Sequence, residues 1–115
     1  MPISPLAVLA VIALPQVGSV ELSSSLIDVS GIGHNRTIPC QGRAVEVAGS
    51  NHVLTFTGTC ASLDLSGTNN QVTINLAPNA SLVVAGSNQT VRWRSTTQPK
   101  LDQSGAGNRV IRLPN

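Results

Sequence analysis

The sequence contains no tyrosine, one phenylalanine, one tryptophan, a single lysine and only five acidic residues among 115. Each shortage removes a class of function. With charged residues at 10% and aromatic ones at 2%, the chain is neither a charge-rich disordered tail nor a helix built on Glu, Lys and Arg. A net charge of +2 with no Lys/Arg cluster leaves no electrostatic footprint for nucleic acid. One Trp and no Tyr offer little to stack on sugar rings. The two histidines, His34 and His52, lack the further ligands that a zinc site takes, and read as solvated turn residues on opposite sides of their turns. There is no C-x-x-C and no G-x-S-x-G elbow. Gly31-x-Gly33 and Gly105-x-Gly107 miss the third glycine and the following helix of a phosphate loop. No catalytic residue, metal or cofactor is assigned, and the chain reads as a non-enzyme.

What is present begins with an apolar leader. Leu6 to Leu14 runs unbroken between Pro5 and Pro15, and every charged residue lies beyond position 20. The run is too short for a membrane span of about 20 residues but fits a secretory core of roughly 7–15. Residues 1–19 therefore read as a signal peptide, with small residues Gly18 and Ser19 at the cleavage point, or as an apolar cap on one end of the fold. Met1 to Ser4 lack the Lys or Arg of a signal peptide's start, which counts against the signal peptide unless the start lies upstream, but the signal peptide is the favoured reading. Residues 20–115 form the single domain.

That domain repeats itself. A half-unit of apolar, any, apolar, small, Gly recurs at Ile27–Gly31, Val45–Gly49, Leu63–Gly67, Leu82–Gly86 and Leu101–Gly105, with glycines 18, 18, 19 and 19 residues apart. A second half-unit starts at Asn35, Asn51, Asn69, Asn88 and Asn108 and carries two apolar residues, such as Leu54 with Phe56 and Val91 with Trp93. Alternation of period two means a strand with one buried face, and Gly and Asn between two such strands are turn residues. Two strands per 18–19 residues predict an all-β fold, a small parallel β-solenoid of about five coils, each burying its apolar face on its neighbours.

Stacked coils turn the sequence into columns spaced about 4.8 Å apart. Ile27, Val45, Leu63, Leu82 and Leu101 form one core column. Ile38, Leu54, Val72, Val91 and Ile111 form a second, and Phe56, Ile74 and Trp93 a third. Asn35, Asn51, Asn69, Asn88 and Asn108 are expected to form a ladder of amides bonded from coil to coil. Outward, Asp28, Glu46, Asp64 and Asp102 share a column interrupted by Val83, beside Ser30, Ala48, Ser66, Ala85 and Ser104. The second strands project Thr55, Thr73, Arg92 and Arg112 on the other face. Cys40 and Cys60, 20 residues apart, fall near one another on adjacent coils and are expected to form a disulfide, which stabilises by roughly 3 kcal/mol for such a loop.

The V-x-V-x-G-S-N-x-x-V units at Val45–Leu54 and Leu82–Val91, the Cys40/Cys60 spacing and the closing Gly105–Val110 segment resemble the small bacterial exported proteins of the domain of unknown function 3060 family. The resemblance spans about residues 27–113. It implies a solenoid fold and a secreted or periplasmic location, and nothing catalytic. Together these features predict a non-enzymatic exported structural or binding module. Its flat faces, the acidic column above all, would meet a protein or envelope partner, and its coil ends would allow homo-association. No nucleic acid and no stable membrane span is expected. The alternative is a carbohydrate-binding or carbohydrate-active β-helix.

Overall fold

A computed structural model describes residues 19–114 of the protein; the apolar run Leu6–Leu14 and the expected leader or cap lie outside the described residues, apart from Ser19. Among the described residues ten strands follow one another with no helix between them: β1 (Val20–Leu22), β2 (Leu26–Val29), β3 (Asn35–Pro39), β4 (Ala44–Val47), β5 (Val53–Thr57), β6 (Cys60–Thr68), β7 (Gln71–Ser87), β8 (Thr90–Arg94), β9 (Lys100–Gln103) and β10 (Arg109–Arg112). The expected parallel β-solenoid is what they build. The first strands of successive coils, β2, β4, β6, the second half of β7, and β9, pair in parallel register as one sheet. The second strands, β3, β5, the first half of β7, β8 and β10, pair as the other. Only β1 runs antiparallel, along the outer edge of β2.

Inward residues of the two sheets meet as the core. Ile27, Val45, Leu63 and Leu82 stack in register and are fully buried, and Val29, Val47, Leu65 and Val84 do the same beside them. In the fifth coil the pattern runs out: Leu101 lies opposite Leu82 but is 41% exposed. The second-strand columns differ from the sequence expectation at both ends. Ile38 stands opposite Phe56, not Leu54, and Val110, not Ile111, stands opposite Val91. The reason is a constant offset from the preceding turn glycine, which the Asn-based alignment did not keep. Arg112 consequently takes the position opposite the buried Trp93, its guanidinium carbon 5.2 Å from the ring centroid. Ile111, rather than Arg112, sits outward beside Arg92, and the outward row at that level is Thr37, Thr55, Thr73, Arg92 and Ile111.

The turn between the two strands of a coil is where the backbones crowd. Gly31, Gly49, Gly67, Gly86 and Gly105 all take φ between 94° and 117°. A Cβ on any of the last four would overlap the carbonyl oxygen of the glycine one coil earlier. That oxygen accepts the amide following the next glycine, as in Ser50 N–H to Gly31 O and Thr68 N–H to Gly49 O, both 3.1 Å. The column is therefore a continuous backbone contact that no other residue fits.

At the opposite corner the coils are tied covalently. Cys40 and Cys60, closing coils one and two, form the expected disulfide with Cα atoms 5.2 Å apart, and both are buried.

Gly67→Ala is expected to destabilise the fold by about 3 kcal/mol or more, combining a forced left-handed alanine with overpacking. Gly58→Ala, also at positive φ but with open space around its Cβ, should cost only about 1–2 kcal/mol. Urea unfolding followed by Trp93 fluorescence distinguishes the two.

Candidate functional site

The buried polar column exists, but different residues build it. Asn51, Asn69 and Asn88 sit at φ 57–61° at the exposed tip of each turn, in the position that Gly33 and Gly107 occupy in the end coils. Asn35 begins β3 with its side chain exposed, opposite Val53. Of the five expected asparagines only Asn108 belongs to the ladder. The ladder residue is the one after the turn tip: His34, His52, Asn70, Gln89 and Asn108. A left-handed residue throws its side chain to solvent, and the next one points inward. Counting three residues on from each glycine would have found this set; the repeated Asn identity drew the reading to the wrong position.

Each ladder side chain performs one task, and from the second coil on a further one. It donates to the carbonyl four residues earlier: His34 Nε2–H to Ser30 O and His52 Nε2–H to Ala48 O, both 2.9 Å, Asn70 to Ser66 O at 3.3 Å, Gln89 to Ala85 O, and Asn108 to Ser104 O at 2.7 Å. It also reaches the preceding coil. His52 Nδ1 accepts the His34 amide at 3.1 Å, Asn70 Oδ1 accepts the His52 amide at 3.0 Å, and Asn108 Oδ1 accepts the Gln89 amide at 3.1 Å, while Asn70 Nδ2–H donates to Gln89 Oε1 at 2.8 Å. The turn interrupts the strand ladder, and these side chains satisfy the groups it strands. Among the described residues no buried side-chain nitrogen or oxygen lacks a partner.

The histidines are thus not solvated turn residues. Their rings stack 5.2 Å apart and 15° from parallel, and His52 is fully buried. Because a carbonyl only accepts, Nε2 carries the ring proton in both, and Nδ1 of His52 must stay bare to receive the His34 amide. A second proton would set N–H against N–H. Burial lowers the His52 pKa, with charge on the His34 ring acting in the same direction and the bond to Ala48 opposing them.

On the outside, the acidic side chains are confined to one sheet. Asp28, Glu46, Asp64, Val83 and Asp102 stand in one register row, as expected, and Glu21 joins it opposite Asp28 through the antiparallel β1. All five carboxylates of the chain therefore share one row of one sheet. The sequence reading missed Glu21; its signal is the alternation in Val20-Glu21-Leu22. In the central coils the flanking rows are small: Ala44, Ser62 and Ser81 on one side, continued by Leu26 and Lys100 at its two ends, and Ala48, Ser66 and Ala85 on the other. The second sheet carries Arg36, Arg92, Arg94, Arg109 and Arg112. Among the described residues no cluster of three or more His, Cys, Asp or Glu is placed to hold a metal ion, and no helix is long and apolar enough to cross a membrane.

A histidine held neutral in the fold but not when unfolded makes stability pH-dependent. The contribution of His52 is complete above its ordinary pKa of 6.5 and is lost as the pH falls from there through the lowered folded value. The urea midpoint should therefore drop between about pH 7.5 and pH 5. His52→Asn, which copies Asn70, should fold and show a smaller drop; an unchanged drop would assign the acid sensitivity elsewhere.

A family model described as a protein of unknown function, DUF3060, matches residues 47–107. No curated protein and no solved structure matches the chain. The matched segment covers more than half of the sequence and includes all four turn glycines on which a Cβ would overlap the preceding coil, so the chain belongs to the DUF3060 family.

Proposed function

We propose that the protein is a non-enzymatic, exported binding module that offers its acidic sheet face to a cationic partner, a protein or an envelope component. The observation that carries this reading is the collection of all five carboxylates in one row. Stacked like charges repel, so the row costs stability, and the disulfide and buried ladder make the fold stable enough to bear it. A flat face flanked by Ser and Ala lets a partner's cations approach several coils at once. Attraction of this kind is long-ranged and weakens with salt. The Cys40–Cys60 disulfide and the apolar run Leu6–Leu14 support an oxidising, exported location. A glycosidase instead sets two carboxyl groups across a substrate, about 5 Å or 6.5–9.5 Å apart; a single line of carboxylates along a flat sheet favours binding over hydrolysis.

The test is a combined D28N/E46Q/D64N/D102N variant. Salt-sensitive binding to oligolysine should fall at least about tenfold, with a urea midpoint equal to or above that of the parent because only repulsion is removed. Binding that persists unchanged would refute the acidic face as the docking surface. Loss of the fold would show that the carboxylates are structural.

A further inference from the structure

The lengthening of the repeat from 18 to 19 residues falls at the corner after the second strand, and it breaks the stacking there. Coil two loops out at Gly58 and Thr59, before Cys60. Coil three stays in line as far as Leu76 and loops out only afterwards, so that pairing jumps from Cys60 opposite Leu76 to Ser62 opposite Ser81. Loops staggered in this way cannot lie on one another. Between them opens a cavity of about 390 Å³, lined by Thr59, Asn75, Leu76, Pro78, Arg94 and Thr96 among others. The size is that of a small-molecule site, for which roughly 300–1,000 Å³ is usual.

Its chemistry is one-sided. Leu76 and Pro78 supply an apolar wall, and the hydroxyls of Thr59 and Thr96 and the Asn75 amide supply polar groups. Arg94 is the one charged residue among the described residues of the lining, and every Asp and Glu side chain lies in the row on the other sheet. The guanidinium is held in place: Nε–H donates to the Pro114 carbonyl at 2.7 Å and Nη1–H to Asn75 Oδ1 at 3.2 Å. A guanidinium has five N–H groups. The second Nη1–H and both on Nη2 have no partner among the described residues. Nη1 and Nη2 thus each keep an N–H to offer, as a planar carboxylate needs for two parallel bonds. A fixed fork loses little freedom on binding, which is the condition for useful affinity in a small site.

We propose that this corner is a binding site for a small carboxylic acid, with its carboxylate on Arg94 and its apolar body against Leu76 and Pro78. The site is independent of the acidic face, and its occupancy adds contacts between coils three and four where stacking is interrupted.

Benzoate, benzamide and inorganic phosphate titrated into the 15N-labelled protein provide the test. Benzoate should shift the amides of Gly58, Thr59 and Thr96 saturably. Benzamide, which lacks the charge, and phosphate, which lacks the apolar body, should bind at least about tenfold more weakly. Arg94→Gln should weaken benzoate by at least about tenfold and Arg94→Lys should restore only part, because an ammonium has no fork. Since Arg94 also ties down Pro114, a second variant leaves it in place: Thr59→Glu sets a carboxylate at the rim and should abolish benzoate binding with Trp93 emission unchanged. Absence of saturable benzoate shifts at concentrations on the order of tens of millimolar, equal shifts with benzamide or phosphate, or indifference to Arg94→Gln would each overturn the proposal.

Discussion

Where a coil passes from its first strand to its second, the chain bends so tightly that one glycine carbonyl fills the space a side chain would take on the next glycine. A coil can advance by only one strand spacing, about 4.8 Å, if the backbones at that bend touch. The contact fixes the register of everything that follows. From each glycine the turn tip lies two residues on, the ladder residue three, and the inward pair of the second strand five and seven. Leu54 and Phe56, Val72 and Ile74, and Val91 and Trp93 obey this count and are buried. In the outer coils the same count delivers Arg36 and Arg112 to inward columns, where the core has ended and a long polar side chain can cover what an aliphatic one would leave bare.

The fold was legible because alternation and the glycine interval are geometric signals, and geometry is what a solenoid repeats. The buried ladder was not, because its requirement is chemical. It needs one group that donates to a carbonyl four residues back and, in most coils, one that accepts an amide from the coil before. Histidine, asparagine and glutamine all meet that need, so the column varies in identity while keeping its bonds. The asparagines one position earlier repeat for a different reason, tolerance of a left-handed backbone, and glycine replaces them freely at positions 33 and 107. Identity misled where function was shared. The acidic row was read correctly in four members because it follows the alternation of the repeat; Glu21 escaped because β1 precedes the first coil and runs against it. The cavity could not be foreseen, since an interval of 19 in place of 18 shows that a residue is added but not how two neighbouring loops will miss each other.

The two sheets differ in what their outer faces can tolerate. In its central coils the first has small residues on either side of its carboxylates; the second mixes threonine, asparagine and arginine, and Arg94 and Arg112 reach neighbouring groups. The core between the sheets is a single layer of aliphatic side chains with one phenylalanine and one tryptophan. Such a core favours no site buried in the interior, and surface chemistry falls to the rows and to the one corner where rows lose step.

The disulfide acquires a directional meaning in a structure whose contacts reach only from one coil to the next. Cys40 and Cys60 close a covalent ring that contains the whole of coil two and joins it to coil one, while coils three to five are held by hydrogen bonds and packing alone. Tension applied along the chain therefore peels the molecule as a strip of tape is peeled, inward from both ends of the stack, each detached coil releasing its own ladder residue and nothing beyond its neighbour. Each peeling front halts at the ring, which cannot lengthen without breaking a sulfur–sulfur bond. What remains is a short knotless spool with a tether, and re-winding starts from a template already in register.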